Sequence, residues 1–209
     1  MKNIWKILIV SSLIILLPIA AGVILWEQLP ERIPTHWNAA GQIDGHSSKP
    51  FAVFGMPGFM LGIQWLCALD TLADPKKKNH SEKILHLVLW LVPVLSCLMS
   101  ALTYAAALGK EVKMEMIMPV FVGLVLAIIG NYLPKCKQNY TIGIKIPWTL
   151  NSEENWNRTH RFAGRIWLVG GLVMMLTGFV GGFWIFIGVM AVMVFAPVIY
   201  SFILHRKGI

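Results

Sequence analysis

Residues 166–204, IWLVGGLVMMLTGFVGGFWIFIGVMAVMVFAPVIYSFIL, decide the fold. They form two apolar runs, Ile166 to Val180 and Trp184 to Leu204, joined at Gly181-Gly182. A helix rises 1.5 Å per residue, so about 20 apolar residues cross the ~30 Å hydrocarbon core of a bilayer. The second run is long enough. The first is shorter and can borrow a turn from Phe162 to Arg165 ahead of it. The glycine pair reads as a tight hairpin between adjacent helices. Four further runs have the same character: Ile4 to Trp26, Ala52 to Leu72, Ile84 to Leu108 and Ile117 to Leu133. The expected fold class is all-α, a polytopic membrane protein with six transmembrane helices. Pro18, Pro57, Pro93 and Pro197 fall inside these spans, where they are tolerated if neighbouring helices satisfy the freed carbonyls.

Composition agrees. The 209 residues are 56% hydrophobic and 13% charged, with mean hydropathy +0.66. A soluble domain carries charge at about a quarter of its positions. Six helices of ~21 residues would fill about 60% of the chain. A soluble enzyme, a disordered regulator and a large extramembrane domain are all excluded.

The net charge of +8 does not call for nucleic acid, because helical membrane proteins concentrate Lys and Arg in cytoplasmic loops. With the N-terminus inside, Lys2, Lys6, Lys76, Lys77, Lys78, Lys83, Lys135, Lys137, Lys145, Arg158, Arg161, Arg165, Arg206 and Lys207 are cytoplasmic. Only Arg32, Lys49, Lys110 and Lys113 lie outside. Both termini are therefore expected in the cytoplasm. The first span is too long for a signal peptide and no clean A-x-A site follows it, so it is expected to be retained. Trp5, Trp26, Trp167 and Trp184 sit at span ends, as interfacial rings do, whereas Trp65 and Trp90 read as packing residues. Cys67, Cys97 and Cys136 have no framework spacing and are expected reduced. Asp70, the one acid inside a span, lies close enough to its end to reach water or a lysine of the next loop.

Two long loops carry the remaining information. Residues 27–51, EQLPERIPTHWNAAGQIDGHSSKPF, are expected outside the cell. Pro30 and Pro34 fix the backbone there, Gly41 and Gly45 supply turns, and His36-Trp37 is expected to lie against the membrane face. His36, Asp44 and His46 could in principle hold zinc, but H-x7-D-x-H matches no common site, so no metal is expected. Residues 134–165, PKCKQNYTIGIKIPWTLNSEENWNRTHRFAGR, are expected in the cytoplasm. Their first part, Asn139 to Trp148, reads as extended, with Ile146 biased away from helix by Pro147. Asn151 or Ser152 then caps a helix whose first turn carries Glu153 and Glu154. Trp156, His160, Ala163 and Trp167 share one face, which reads as an interfacial ramp into the fifth span or as a docking surface. No nucleophile–base set, phosphate loop or carboxylate pair stands out, so neither catalysis nor a cofactor is expected.

These loops also carry a family resemblance. Leu29-Pro30-Glu31-Arg32-Ile33-Pro34-Thr35-His36-Trp37, followed by Gly41, resembles a bacterial membrane domain of unknown function, DUF1648. Gly143-Ile144-Lys145-Ile146-Pro147-Trp148-Thr149-Leu150, continued by Ser152-Glu153, Trp156 and Thr159-His160-Arg161, resembles the signature of the SdpI family. The resemblance divides the chain into a DUF1648-like region, 1–72, and an SdpI-like region, 73–209. Lys145 and Ile146 depart from the arginine and threonine expected there, and a lysine cannot make a planar bidentate contact. What the resemblance implies is a multi-pass protein of the bacterial cell membrane conferring immunity to a secreted antimicrobial peptide toxin of the SdpC type. It also implies toxin sensing, with a cytoplasmic ArsR-type repressor held at the membrane. Carried over by position, Arg32, His36, Trp37 and Asp44 would face the toxin. Lys145, Trp148, Trp156, His160 and Arg161 would face the repressor. Beyond the lipid bilayer, these two are the partners implied, with no direct nucleic-acid contact.

A different reading comes from the chain's own symmetry. Cut after the third span, it gives two three-helix halves of opposite orientation, each with its long loop between the first and second helices. Leu29-Pro30 with Ile33-Pro34 then parallels Leu133-Pro134 with Ile146-Pro147. Inverted repeats of this kind underlie many transporters, which place polar groups at mid-membrane. Here those are mainly Ser, Thr and Gln64.

Overall fold

A computed structural model describes residues 4–209; Lys2, counted above among the cytoplasmic cations, lies outside them. Among the described residues six helices are long and apolar enough to cross a membrane. They are α1 (Ile4–Ile24), α2 (Met56–Ala73), α3 (Glu82–Ala107), α4 (Met114–Tyr132), α6 (Glu153–Val180) and α7 (Phe183–Arg206), with a five-residue α5 (Pro147–Asn151) between α4 and α6. A π-helical turn, Phe51–Gly55, leads into α2. The fifth span begins at Glu153, well before the apolar run at Ile166, so the amphipathic segment and the span are one continuous helix.

The chain forms two compact units, Met1–Leu72 with Glu82–Lys113, and Ala73–Ser81 with Met114–Ile209. The third helix thus packs with the first two spans.

In the first unit, prolines decide where the helices meet. Pro93 has no N–H, so the Leu89 carbonyl one turn earlier loses its helical partner. Gln64 of α2 supplies one: its Nε2 donates to Leu89 O at 2.9 Å and to Ser11 Oγ of α1 at 2.8 Å. Pro18 likewise frees Ile14 O, to which Cys97 Sγ of α3 donates at 3.5 Å. Ser96 Oγ donates to Ile15 O at 3.1 Å and Tyr104 Oη to Pro18 O at 3.2 Å. Gln64, the mid-membrane polar group of the transporter reading, is therefore occupied in tying three helices together.

The second unit meets the same constraint with tryptophan. Pro197 frees Met193 O, and Trp167 Nε1 of α6 donates to it at 2.9 Å. Trp167, expected at a span end, is half-buried and bonded to the neighbouring helix. Trp90, expected as packing, is partly exposed instead. Helices α4 and α6 touch backbone to backbone. A Cβ on Gly123 would lie 2.5 Å from Gly171 O, and one on Gly171 2.5 Å from Gly123 O. A Cβ on Gly164 or Gly178, seven residues either side of Gly171, would lie 2.8 Å from Gly130 O or 2.7 Å from Met116 O. Small residues allow this approach where no hydrophobic effect drives helices together.

Gln64→Leu should lower stability in detergent by roughly 1 kcal/mol, read as a fall in Tm. In a Pro93→Ala background, Leu89 O regains a helical N–H, so Gln64→Leu should cost measurably less. Additive losses in the double-mutant cycle would refute the pairing.

Candidate functional site: two structured loops

The loop between α1 and α2 folds as a β-hairpin, an element absent from the sequence reading. Strand β1 (Arg32–Trp37) pairs antiparallel with β2 (Ile43–Ser48), from Arg32 opposite Ser48 to Trp37 opposite Ile43. Asn38 closes the turn: its Oδ1 accepts from the amides of Ala40 and Gln42, both at 3.0 Å, while Gly41 takes φ +75°. Ile33 anchors the hairpin in a buried cluster with Leu29, Ala52, Val53 and Tyr104. Lys49 holds its base. Its ammonium donates to Trp26 O at 3.2 Å, sits 3.0 Å from Glu31 Oε1 and lies over the Trp26 ring.

The hairpin brings His36 and Asp44 together, Nδ1 to Oδ1 at 2.5 Å. The pair is open to solvent, and so exposed a contact contributes little to stability. Arg32 is exposed and Trp37 half-buried. His46 pairs across from Pro34 rather than joining His36 and Asp44. Among the described residues no group of three or more His, Cys, Asp or Glu could hold a metal ion.

The loop between α4 and α6 is a folded structure with its own polar core. Asn139 organises its start: Oδ1 accepts from Ile142 N at 2.6 Å and Thr141 N at 2.9 Å, and Nδ2 donates to Lys137 O and Ile142 O. Gly143 follows with φ +127°, where a Cβ would lie 2.5 Å from His160 Nε2 and 2.9 Å from the Trp156 ring. That close approach lets Ile144 N donate to His160 Nε2 at 3.0 Å. His160 therefore carries its proton on Nδ1, which donates to Trp156 O at 2.8 Å. The two rings stack at 4.0 Å, and Trp156 Nε1 donates to Cys136 O at 2.8 Å. Burial pushes the Cys136 thiol up to about 11, partly offset by Asn139, so it stays protonated.

Ile146 is extended, as the following proline requires, but Pro147 then opens the helical turn α5 instead of continuing an extended segment. Thr149 Oγ1 accepts from Ile146 N at 3.1 Å and lies 2.7 Å from Ile144 O. Ser152 is the cap of α6, accepting from Asn155 N at 3.1 Å. Asn155 in turn donates to Ser201 O of α7 at 3.0 Å.

The second-loop candidates divide by exposure. Trp156 and His160 are buried, 0% and 1% exposed, beneath the loop, so that face neither lies on a membrane nor presents a docking surface. Lys145 and Arg161 are exposed. Trp148 is half-buried, stacked on His205 and edge-on to Phe202.

Sequence reasoning missed the hub of this loop, Asp74. Asp70 is exposed on α2, whereas Asp74, just beyond the helix end, is buried. Its carboxylate accepts from Lys76 N at 2.7 Å, Tyr140 N at 2.9 Å and Thr141 Oγ1 at 3.0 Å, and lies 3.1 Å from His80 Nε2. Lys76 Nζ reaches Gln138 Oε1, while Asn79 Nδ2 donates to Gln138 O at 2.6 Å. Gln138 Nε2 passes the connection on to Thr149 O and Leu150 O, both at 2.9 Å. The available signal was an acid directly followed by proline and three lysines. Burial alone would raise the Asp74 carboxyl, but these hydrogen bonds outweigh it and hold it below its ordinary value of 3.8.

Spans tied through proline-freed carbonyls, with both long loops folded, define a small multi-pass membrane protein whose long loops are built rather than loose. The SdpI/YfhL family model matches residues 135–201, which hold the second loop, and the DUF1648 domain model matches residues 13–61, which hold the hairpin. Immunity protein SdpI of Bacillus subtilis (strain 168) is 31% identical over 193 residues, 92% of this chain and 91% of that protein. The chain belongs to the SdpI family and is a multi-pass protein of the bacterial cell membrane. No solved structure matches it.

A carboxyl held low in the folded state binds fewer protons than in the unfolded chain, so its contribution is present above the unfolded value and lost as pH falls through the folded one. The purified protein should therefore lose stability progressively below pH 3.8. Asp74→Asn should be destabilised at neutral pH by roughly 2 kcal/mol and show a flatter profile in that acid window. Parallel acid limbs in thermal unfolding would rule out this role for Asp74.

Proposed function

We propose that this chain is a membrane immunity protein, protecting a bacterium against a secreted, membrane-active killing peptide. The observation that carries the reading is the relationship to the B. subtilis immunity protein, which covers too much of the chain to omit either loop. The bias of Lys and Arg supports both termini in the cytoplasm. On that orientation the hairpin faces outward and the 134–165 loop inward.

The hairpin is then the toxin-facing surface. Arg32, His36, Asp44 and the edge of Trp37 are the groups it offers, held by a scaffold that Ile33 and Lys49 fix from below. The inner loop is the signalling surface. Lys145 and Arg161 present charge, Trp148 an aromatic edge, and Trp156 with His160 act as positioning residues beneath them. Their partner is a cytoplasmic repressor of the ArsR type, captured when the toxin is sensed.

Protection is the test. The chain is expressed in a toxin-sensitive Gram-positive host and survival is scored against an SdpC-type peptide, beside an empty vector. Wild type should protect. Arg32→Ala and Asp44→Ala should lower the tolerated peptide concentration about tenfold, the effect of a charge-assisted hydrogen bond worth ~1.5 kcal/mol. Lys145→Ala and Arg161→Ala should keep protection and lose repressor recruitment. Killing equal to the vector, with the protein present in the membrane, would sink the immunity reading. Loss of both phenotypes from every substitution would sink the two-surface division.

A further inference from the structure

Between α6 and α7 runs a groove of about 690 Å³, walled by Arg165 to Val173 on one side and Ile185 to Met193 on the other. Its lining is almost wholly apolar, with Arg165 at one end. Val169, Ile185 and Val192 along it are each more than half exposed, so the groove opens outward from the helix pair.

Two features leave room and charge for an occupant. A Cβ built on Gly188 meets nothing within 4 Å, although glycine is a poor residue for a helix interior. A Cβ on Gly170, on the opposite wall, would by contrast meet Met193 Sδ at 2.6 Å. Arg165 is exposed and belongs to none of the ion pairs among the described residues. The acids of its own helix, Glu153 and Glu154, lie in the first turn, and Glu154 is already paired with Arg158. Arg161, one turn before Arg165, adds to the positive field.

We propose that this groove binds one anionic phospholipid, with its phosphate on Arg165 and an acyl chain lying along Gly188. A guanidinium binds phosphate oxygens in parallel, and its aliphatic stem lets the charge reach headgroup level while the helix stays in hydrocarbon. From Arg165 to Val173 the helix rises about 12 Å, most of the ~15 Å depth of one leaflet's hydrocarbon. Charge complementarity selects the occupant: a zwitterionic lipid offers the same phosphate but adds an ammonium that Arg161 and Arg165 repel, and a soluble anion leaves the apolar slot unfilled.

The full-length protein is tested by native mass spectrometry after exchange into phosphatidylglycerol or phosphatidylcholine of identical acyl chains. Wild type should retain one phosphatidylglycerol in preference to phosphatidylcholine. Arg165→Gln should weaken that preference about fivefold, the ratio for one basic group near a membrane surface. Arg165→Lys should restore most of it. Gly188→Leu, which meets no atom of the chain, should expel the lipid while leaving Tm unchanged. Equal retention of the two lipids by wild type would overturn the proposal, as would retention indifferent to both Arg165→Gln and Gly188→Leu. Displacement of the lipid by glycerol phosphate alone would assign the site to a soluble anion. Efficient disulfide cross-linking of Gly188→Cys between copies would assign the groove to a second chain. Either outcome overturns the lipid assignment.

Discussion

A carbonyl without a donor is expensive in hydrocarbon, because no water is there to replace the lost hydrogen bond. Of the four prolines inside helices, Pro18, Pro93, Pro119 and Pro197, three free carbonyls, at Ile14, Leu89 and Met193, that are answered from another helix. Cys97, Gln64 and Trp167 are the donors. Apolar helices in lipid gain little from hiding apolar surface against one another, so packing and hydrogen bonds must specify who meets whom. The freed carbonyls do that. Each proline weakens its own helix and makes its surface readable by a neighbour. Gln64 illustrates the economy, since one amide nitrogen serves α1 and α3 together.

The spans were legible because apolar runs of membrane length are a one-dimensional signal. The donors of the proline-freed carbonyls were not, because Gln64 and Leu89, or Cys97 and Ile14, are joined only by the three-dimensional fold. The hairpin was hidden for a different reason. IDGHSS has little strand propensity, and Pro34 removes a donor from β1. Tertiary packing overrides both, through Ile33 in its cluster and the Asn38 turn. Proline and glycine in that loop were rightly read as shaping residues. What they shape is a strand pair with bulges around His36 rather than a run of turns.

In the second loop, local rules were legible and long-range ones were not. The Ser152 cap and the extended Ile146 follow from their immediate neighbours. The face formed by Trp156, His160 and Ala163 was correctly placed on one side of a helix, but periodicity cannot say what covers a face. Here the cover is the loop itself, folded back through Gly143 onto the His160 ring. Asp74 escaped notice because its partners at Tyr140 and Thr141 are far along the chain. Within the span, Asp70 attracted attention as an acid in an apolar run, yet burial falls on the acid just past the helix end.

The pattern of burial constrains what kind of recognition each loop can perform. The hairpin's anchors, Ile33 and Lys49, belong to the first unit, and the second loop's anchors, Asp74, Gln138 and His160, to the second. Each loop therefore owes its shape to residues of its own unit. Its exposed groups can vary without unpairing a buried donor, because among the described residues the side chains of Arg32, Lys145 and Arg161 take no part in the hydrogen bonds that fix either scaffold. Lys145 fits this view. At a surface position a lysine presents a point charge and forgoes only the planar, bidentate geometry of an arginine. Gly143, a few residues away, has no such latitude, since any side chain there strikes the His160 ring. Change in partner preference is thus cheapest at the exposed cations, while the residues beneath them are held by the geometry they maintain.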